Sequence, residues 1–156
     1  LSRANNMPTQ QRDQIMFNLA NACFMTKHFD KAESLFAFLS KTYPNDHRYL
    51  YNLGEALFNK KDFTQACGVF KKLLDPPFRI AQATFRYANC LEQLKKFGDA
   101  KSALQLVINA DKAPKEMKEM AQKEIGRLNV QEKINSGNCT LTMGELRQAF
   151  STTTTT

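Results

Sequence analysis

The sequence has no tryptophan, only two histidines and only four cysteines among its 156 residues. Each shortage excludes something. His28 and His47 have no ligand partner at metal spacing, and Cys23, Cys67, Cys90 and Cys139 form no C-x-x-C pair. A structural zinc site is therefore not expected, and no metal or other cofactor is called for. The first three cysteines fall inside amphipathic helical patterns, where buried reduced thiols fit a reducing compartment. No G-x-S-x-G, P-loop or paired-carboxylate constellation occurs, so the chain does not read as an enzyme. Its apolar runs fall far short of the ~18 residues that suggest a membrane span, so stable membrane insertion is not expected. No charged–apolar–small segment opens the chain, so secretion is not expected, and Leu1 in place of Met is expected of a trimmed fragment.

What remains is an ordinary globular composition, 42% apolar and 24% charged, in a chain the length of one domain. The net charge of +7 lies mostly before residue 111, where 15 Lys and Arg stand against 9 Asp and Glu. The doublets Lys60-Lys61, Lys71-Lys72 and Lys95-Lys96 fall at expected helix ends and lack interleaved aromatics. They read as solvated termini rather than as a track for nucleic acid.

The strongest positive signal is repetition. Phe29, Phe63 and Phe97 are spaced by 34 residues, as are Ala32, Ala66 and Ala100, then Phe36, Phe70 and Leu104, then Leu39, Leu73 and Val107. Upstream, Leu19, Leu53 and Tyr87 keep the register, followed by Ala20, Gly54 and Ala88. Thirty-four residues is the length of the tetratricopeptide helix-turn-helix repeat. The expected fold is all-α: three such repeats in a right-handed solenoid, with a C-terminal capping helix.

Expected boundaries are a flexible segment over 1–10, repeats over about 13–46, 47–80 and 81–112, a capping helix over 113–135 and a flexible tail over 136–156. Within the repeats, helices are expected at about 10–27, 29–41, 47–59, 63–74, 80–94 and 98–110, with Asp46 capping the third and Asp75-Pro76-Pro77 ending the fourth. Leu19, Leu53, Tyr87 and their small neighbours are expected in the core. Met117, Ala121, Ile125 and Leu128 give the capping helix its apolar stripe. In the tail, Thr142 to Glu145 fits a capping box and Asn138-Cys139-Thr140 fits a glycosylation sequon. The final threonines read as low complexity.

A different face of the first helix in each repeat carries Phe17, Asn21 and Phe24, then Tyr51, Glu55 and Phe58, then Phe85, Asn89 and Glu92. Aromatics thus recur at 17, 51 and 85. Stacked repeats would align them in a concave, peptide-binding groove, with Asn21, Asn52 and Asn89 meeting backbone amides. The alternative is that these rings are further core.

These stretches, FDKAESLFAFL at 29–39, HRYLYNLGEAL at 47–57 and ATFRYANCLEQLKKFGDAKSAL at 83–104, resemble the class II tetratricopeptide chaperones of bacterial type III secretion translocators. The resemblance implies a cytoplasmic, ATP-independent holder of an extended, proline-bearing translocator segment, with a homodimer left open. It puts the family's groove positions on Phe17, Phe24, Tyr51 and Phe85, with Asn21 where the family has an aromatic. A generic adaptor or scaffold is the competing reading. It includes a carboxylate clamp for acidic tails, for which Asn21, Asn52 and Arg86 match but Phe17 and Gln82 replace the lysines.

Overall fold

The computed structural model describes residues 8–137 and 140–150. Cys139, most of the sequon, the first seven residues and the final threonines lie outside the described residues. The helices in chain order are α1 (Thr9–Met25), α2 (Phe29–Thr42), α3 (His47–Asn59), α4 (Phe63–Leu74), α5 (Ala83–Gln93), α6 (Phe97–Asn109), α7 (Lys115–Asn135) and α8 (Met143–Phe150). The chain divides after Ala83 into two compact units.

The turn inside each helix pair follows one rule. After α1, the His28 N–H donates to the Cys23 carbonyl at 2.8 Å. After α3, Asp62 donates to Leu57 at 2.9 Å, and after α5, Lys96 donates to Leu91 at 2.8 Å. This six-to-one bond is the Schellman closure, which places the preceding residue in the left-handed region. Those residues are Lys27 (φ 63°), Lys61 (φ 68°) and Lys95 (φ 62°), one period apart. None is glycine, the residue that takes this conformation without steric cost.

Between pairs the linkers differ. Asp46 caps α3, its side chain accepting from the Arg48 N–H at 3.0 Å, as the sequence predicts. The link from α4 to α5 is longer than expected, and α5 begins at Ala83 rather than Ile80. Two prolines follow Asp75, Arg79 takes a positive φ, and the Ile80 N–H is spent on the Leu73 carbonyl at 2.7 Å, so residues 80–82 stay outside the helix.

In the first unit, α1 to α4 pack as two consecutive hairpins. The period-34 columns are buried: Ala32, Phe36 and Leu39 on α2, and Ala66, Phe70 and Leu73 on α4. Each large side chain among them stabilises the fold by about 1.5–3 kcal/mol. Leu19 corrects the sequence reading. It is 53% exposed and shares its side of α1 with exposed Ile15, because none of the described helices covers that face. Lys60 lies 2.9 Å from Asp30 and 2.6 Å from Glu33, so one cation of the first doublet ties α3 to α2.

In the second unit, Ala100, Leu104 and Val107 on α6 are buried, as are Ala121 and Leu128 on α7. Lys101 joins these helices, 2.6 Å from Glu132 and 3.2 Å from Asn129. The tail is a second correction. Residues 143–150 form a helix rather than a flexible segment, because Thr142 caps it (Glu145 N–H to Oγ1, 3.1 Å) and α7 supplies a seat.

Three thiols are described: Cys23 and Cys67 are half-buried and Cys90 is buried. Among the described residues no helix is long and apolar enough to cross a membrane.

Candidate functional site

All ten candidate peptide-binding residues are half-buried. In the first unit, Phe17, Asn21 and Phe24 lie along α1, and Tyr51, Asn52, Glu55 and Phe58 lie on α3. In the second unit, Phe85, Arg86 and Asn89 lie on α5.

The rings are not free-standing. Phe17 meets buried Phe36 edge-on at 6.2 Å, and Tyr51 meets buried Phe70 in the same way at 5.5 Å. Both partners in the second pair follow those in the first by one period. Phe24 meets Phe29 at 5.5 Å, and Phe58 meets Phe63 at 5.2 Å, again one period on. Each of these four rings thus leans on the second helix of its own hairpin. Phe17 and Phe24 also pack against the core cluster of Ala20, Ala32, Phe36 and Ala56. These edge-to-face pairs are worth about 0.5–1.5 kcal/mol beyond their burial. The same rings therefore serve stability while leaving part of their surface open.

The third hairpin breaks the column. Where Phe24 and Phe58 stand, it has Glu92, and opposite it Phe97 is only 5% exposed. Glu92 is held instead by Arg127 of α7, at 2.9 Å and 2.5 Å, while Glu124 takes a further 2.5 Å contact from the same guanidinium. The hydrogen bonds to Glu92, then to Glu124, push the arginine pKa up. An aromatic position has become an ionic fastening for the capping helix.

Two residues outside the sequence-derived set join the first unit's aromatic group. Tyr49 lies 5.4 Å from Phe17 and 5.7 Å from Tyr43. The Tyr43 hydroxyl donates to the carboxylate of Asp13, a buried residue in α1, and that bond raises the tyrosine pKa. The other carboxylate oxygen has no hydrogen-bond partner and lies 3.7 Å from Arg12 Nε. Repeat periodicity gives no sign of either residue, since the positions one period from Tyr49 are Ile15 and Ala83.

Half-buried aromatic rings leave apolar surface, and half-buried Asn21, Asn52 and Glu55 on the same helices carry hydrogen-bonding groups. The family model for anaphase-promoting complex, cyclosome, subunit 3 matches residues 16–107, more than half of the chain. The chain belongs to this family.

Solved structures share the fold. The type III secretion translocator chaperone SycD of Yersinia enterocolitica superposes with a TM-score of 0.65 at 18% identity, over 82% of this chain and 90% of its own. PcrH of Pseudomonas aeruginosa gives 0.66 at 17% identity, over 79% and 96%. PcrH in complex with the chaperone binding region of PopD gives 0.64 at 18% identity, over 81% and 97%. No curated protein matches the chain in sequence.

Proposed function

We propose that this protein is a cytoplasmic secretion chaperone, holding an extended apolar segment of a type III secretion translocator until export. The observation that carries the reading is that Phe17 and Phe24 on α1, and Tyr51 and Phe58 on α3, are half-buried aromatics on helices that also carry half-buried Asn21 and Asn52. It occurs in a fold shared with translocator chaperones, of which PcrH has been solved with the chaperone binding region of its partner PopD. In the second unit, taken by itself, Phe85, Arg86 and Asn89 on α5 are proposed as contact residues. Holding a segment requires no catalysis and no cofactor. A proline-bearing segment loses less entropy on being held extended.

The family match favours a second reading, in which the same helices form an adaptor or scaffold subunit of a lasting assembly. Its carboxylate-clamp version would rest on Asn21, Asn52 and Arg86.

Calorimetric titration with two peptides separates the readings, one apolar and proline-containing, the other acidic with a free C-terminal carboxylate. The chaperone reading expects the first alone to bind, and Phe85→Ala or Tyr51→Ala to weaken it by about 1–3 kcal/mol with helicity intact. Binding of the second alone, weakened by Arg86→Ala and by salt, would sink it in favour of the clamp.

A further inference from the structure

The first unit contains a run of linked side chains that starts and ends on α1. Asp13 and Phe17 stand at i and i+4, on one side of that helix. Asp13 is buried, and its carboxylate accepts the hydroxyl of Tyr43, the residue that caps the end of α2. The Tyr43 ring packs on Tyr49 at 5.7 Å, and Tyr49 meets Phe17 edge-on at 5.4 Å. The contacts therefore leave α1 at Asp13 and return to it one turn later at Phe17. The Arg48 guanidinium stands over the Tyr49 ring, 5.7 Å from its centre, and Asp46 holds that guanidinium at 3.0 and 2.7 Å. Tyr49 is thus bounded by Tyr43, Phe17 and Arg48.

As a stabilising device the Asp13–Tyr43 pair is a poor one. Burying a carboxylate is costly, and one of its oxygens has no hydrogen-bond partner, with Arg12 Nε 3.7 Å away. What the bond does supply is direction: a phenol tethered at its hydroxyl presents a set ring face to Tyr49. The linkage is particular to the first hairpin, because the positions one period on from Asp13, Tyr43 and Tyr49 are His47, Pro77 and Ala83. It ends on Phe17, a half-buried ring that the proposed function uses as a contact. Such an anchor contributes most when its orientation is fixed beforehand, since ordering a side chain on binding costs affinity.

We propose that Asp13 and Tyr43 are positioning residues for the segment-binding role of Phe17: their hydroxyl bond sets Tyr49, and Tyr49 sets the Phe17 ring before the segment arrives. The inference rests on the chaperone reading. It adds that affinity at Phe17 depends on two residues that need not touch the segment. Tyr43→Phe keeps the ring and loses the bond. Asp13→Asn keeps an oxygen that accepts the hydroxyl, so it preserves the orientation.

The test uses the full chain and the apolar, proline-containing peptide, titrated by calorimetry at a temperature where every variant is folded. A purely structural role leaves the dissociation constant unmoved there, since lost stability weakens apparent affinity only through the folded fraction. Tyr43→Phe is expected to weaken binding about fivefold, the size of one hydrogen bond, and Asp13→Asn to stay close to the wild type. In a Phe17→Leu background Tyr43→Phe should no longer matter, because the ring it positions is gone. Nuclear Overhauser contacts between the Phe17 and Tyr49 rings should weaken in Tyr43→Phe and persist in Asp13→Asn. Unchanged binding by Tyr43→Phe, or the same loss with and without the Phe17 ring, overturns the positioning role and leaves the chaperone reading standing. A wild type that does not bind the peptide overturns the chaperone reading, and the positioning role with it.

Discussion

Arg127 grips both carboxylate oxygens of Glu92, linking the capping helix α7 to α5 at a position where the first two hairpins carry phenylalanine. The pair is partly shielded, with Glu92 the less exposed member, so losing the arginine leaves a carboxylate facing Glu124 with little water to screen it. Arg127→Leu should lower stability by about 1–2 kcal/mol, a range discounted for the exposure of the guanidinium. The urea midpoint should move with no change in slope. Adding Glu92→Phe should recover part of the loss, because it rebuilds against Phe97 the pairing seen at Phe24–Phe29 and Phe58–Phe63. A double-mutant cycle with no coupling would show that the two residues act independently.

Gly54 occupies the column that holds Ala20 and Ala88 in the other hairpins. A Cβ there would lie 2.7 Å from the ring of Phe70, which is already buried and edge-on to Tyr51. Alanine favours the helix by about 1 kcal/mol over glycine, but forcing a buried ring aside costs typically ~1–3 kcal/mol. Gly54→Ala is therefore expected to destabilise, in contrast to its identity with the neighbouring repeats. A raised melting temperature would mean that the ring can yield.

Much of this was legible in the sequence because a period is a statement about burial. The columns at Ala32, Phe36 and Leu39, and their successors, had to be apolar in every hairpin to fill the same place, and all nine are buried. Leu19 shares that signal yet is exposed: a repeat column records what a position needs when a neighbour covers it, and none of the described helices covers Leu19. The aromatic column at 17 and 51 was equally visible, but spacing could not show that each ring leans on its own hairpin's second helix. Asp13–Tyr43 and the seating of α8 on Gly126 were illegible for a plainer reason. Each is a single long-range contact with no period, and a lone helical Asp or Gly reads as solvated or tolerated.

The capped start of α3 gives a pH dependence with a defined sign. Hydrogen bonds from the Arg48 side chain, at 3.0 and 2.7 Å, are the main cause holding the Asp46 carboxyl below its ordinary value, assisted by the Arg48 backbone N–H. A carboxyl with a depressed folded-state pKa stabilises the fold above its unfolded value, about 3.9, and loses that contribution as the pH falls through the folded value. Asp46→Asn keeps a capping oxygen but removes the charge. The wild type should exceed the variant in urea midpoint at pH 7, and the gap should close below about pH 4. A gap independent of pH would assign the effect to cap geometry alone.

Lys27, Lys61 and Lys95 each hold a left-handed conformation at the turn between paired helices, and all three are exposed. The steric cost for a residue with a Cβ is about 1–2 kcal/mol, partly offset by the larger entropy glycine loses on folding. Replacing each lysine by glycine should therefore stabilise the protein by about 0.5–1 kcal/mol. Asparagine, which tolerates this region better than lysine, should fall between. Because the three turns share one hydrogen-bond pattern, the gains should be similar at each site and add in the triple variant. Thermal and urea denaturation of the three single variants and the triple variant would check this. A loss at any one turn would show that its lysine makes a contact worth more than the strain it carries.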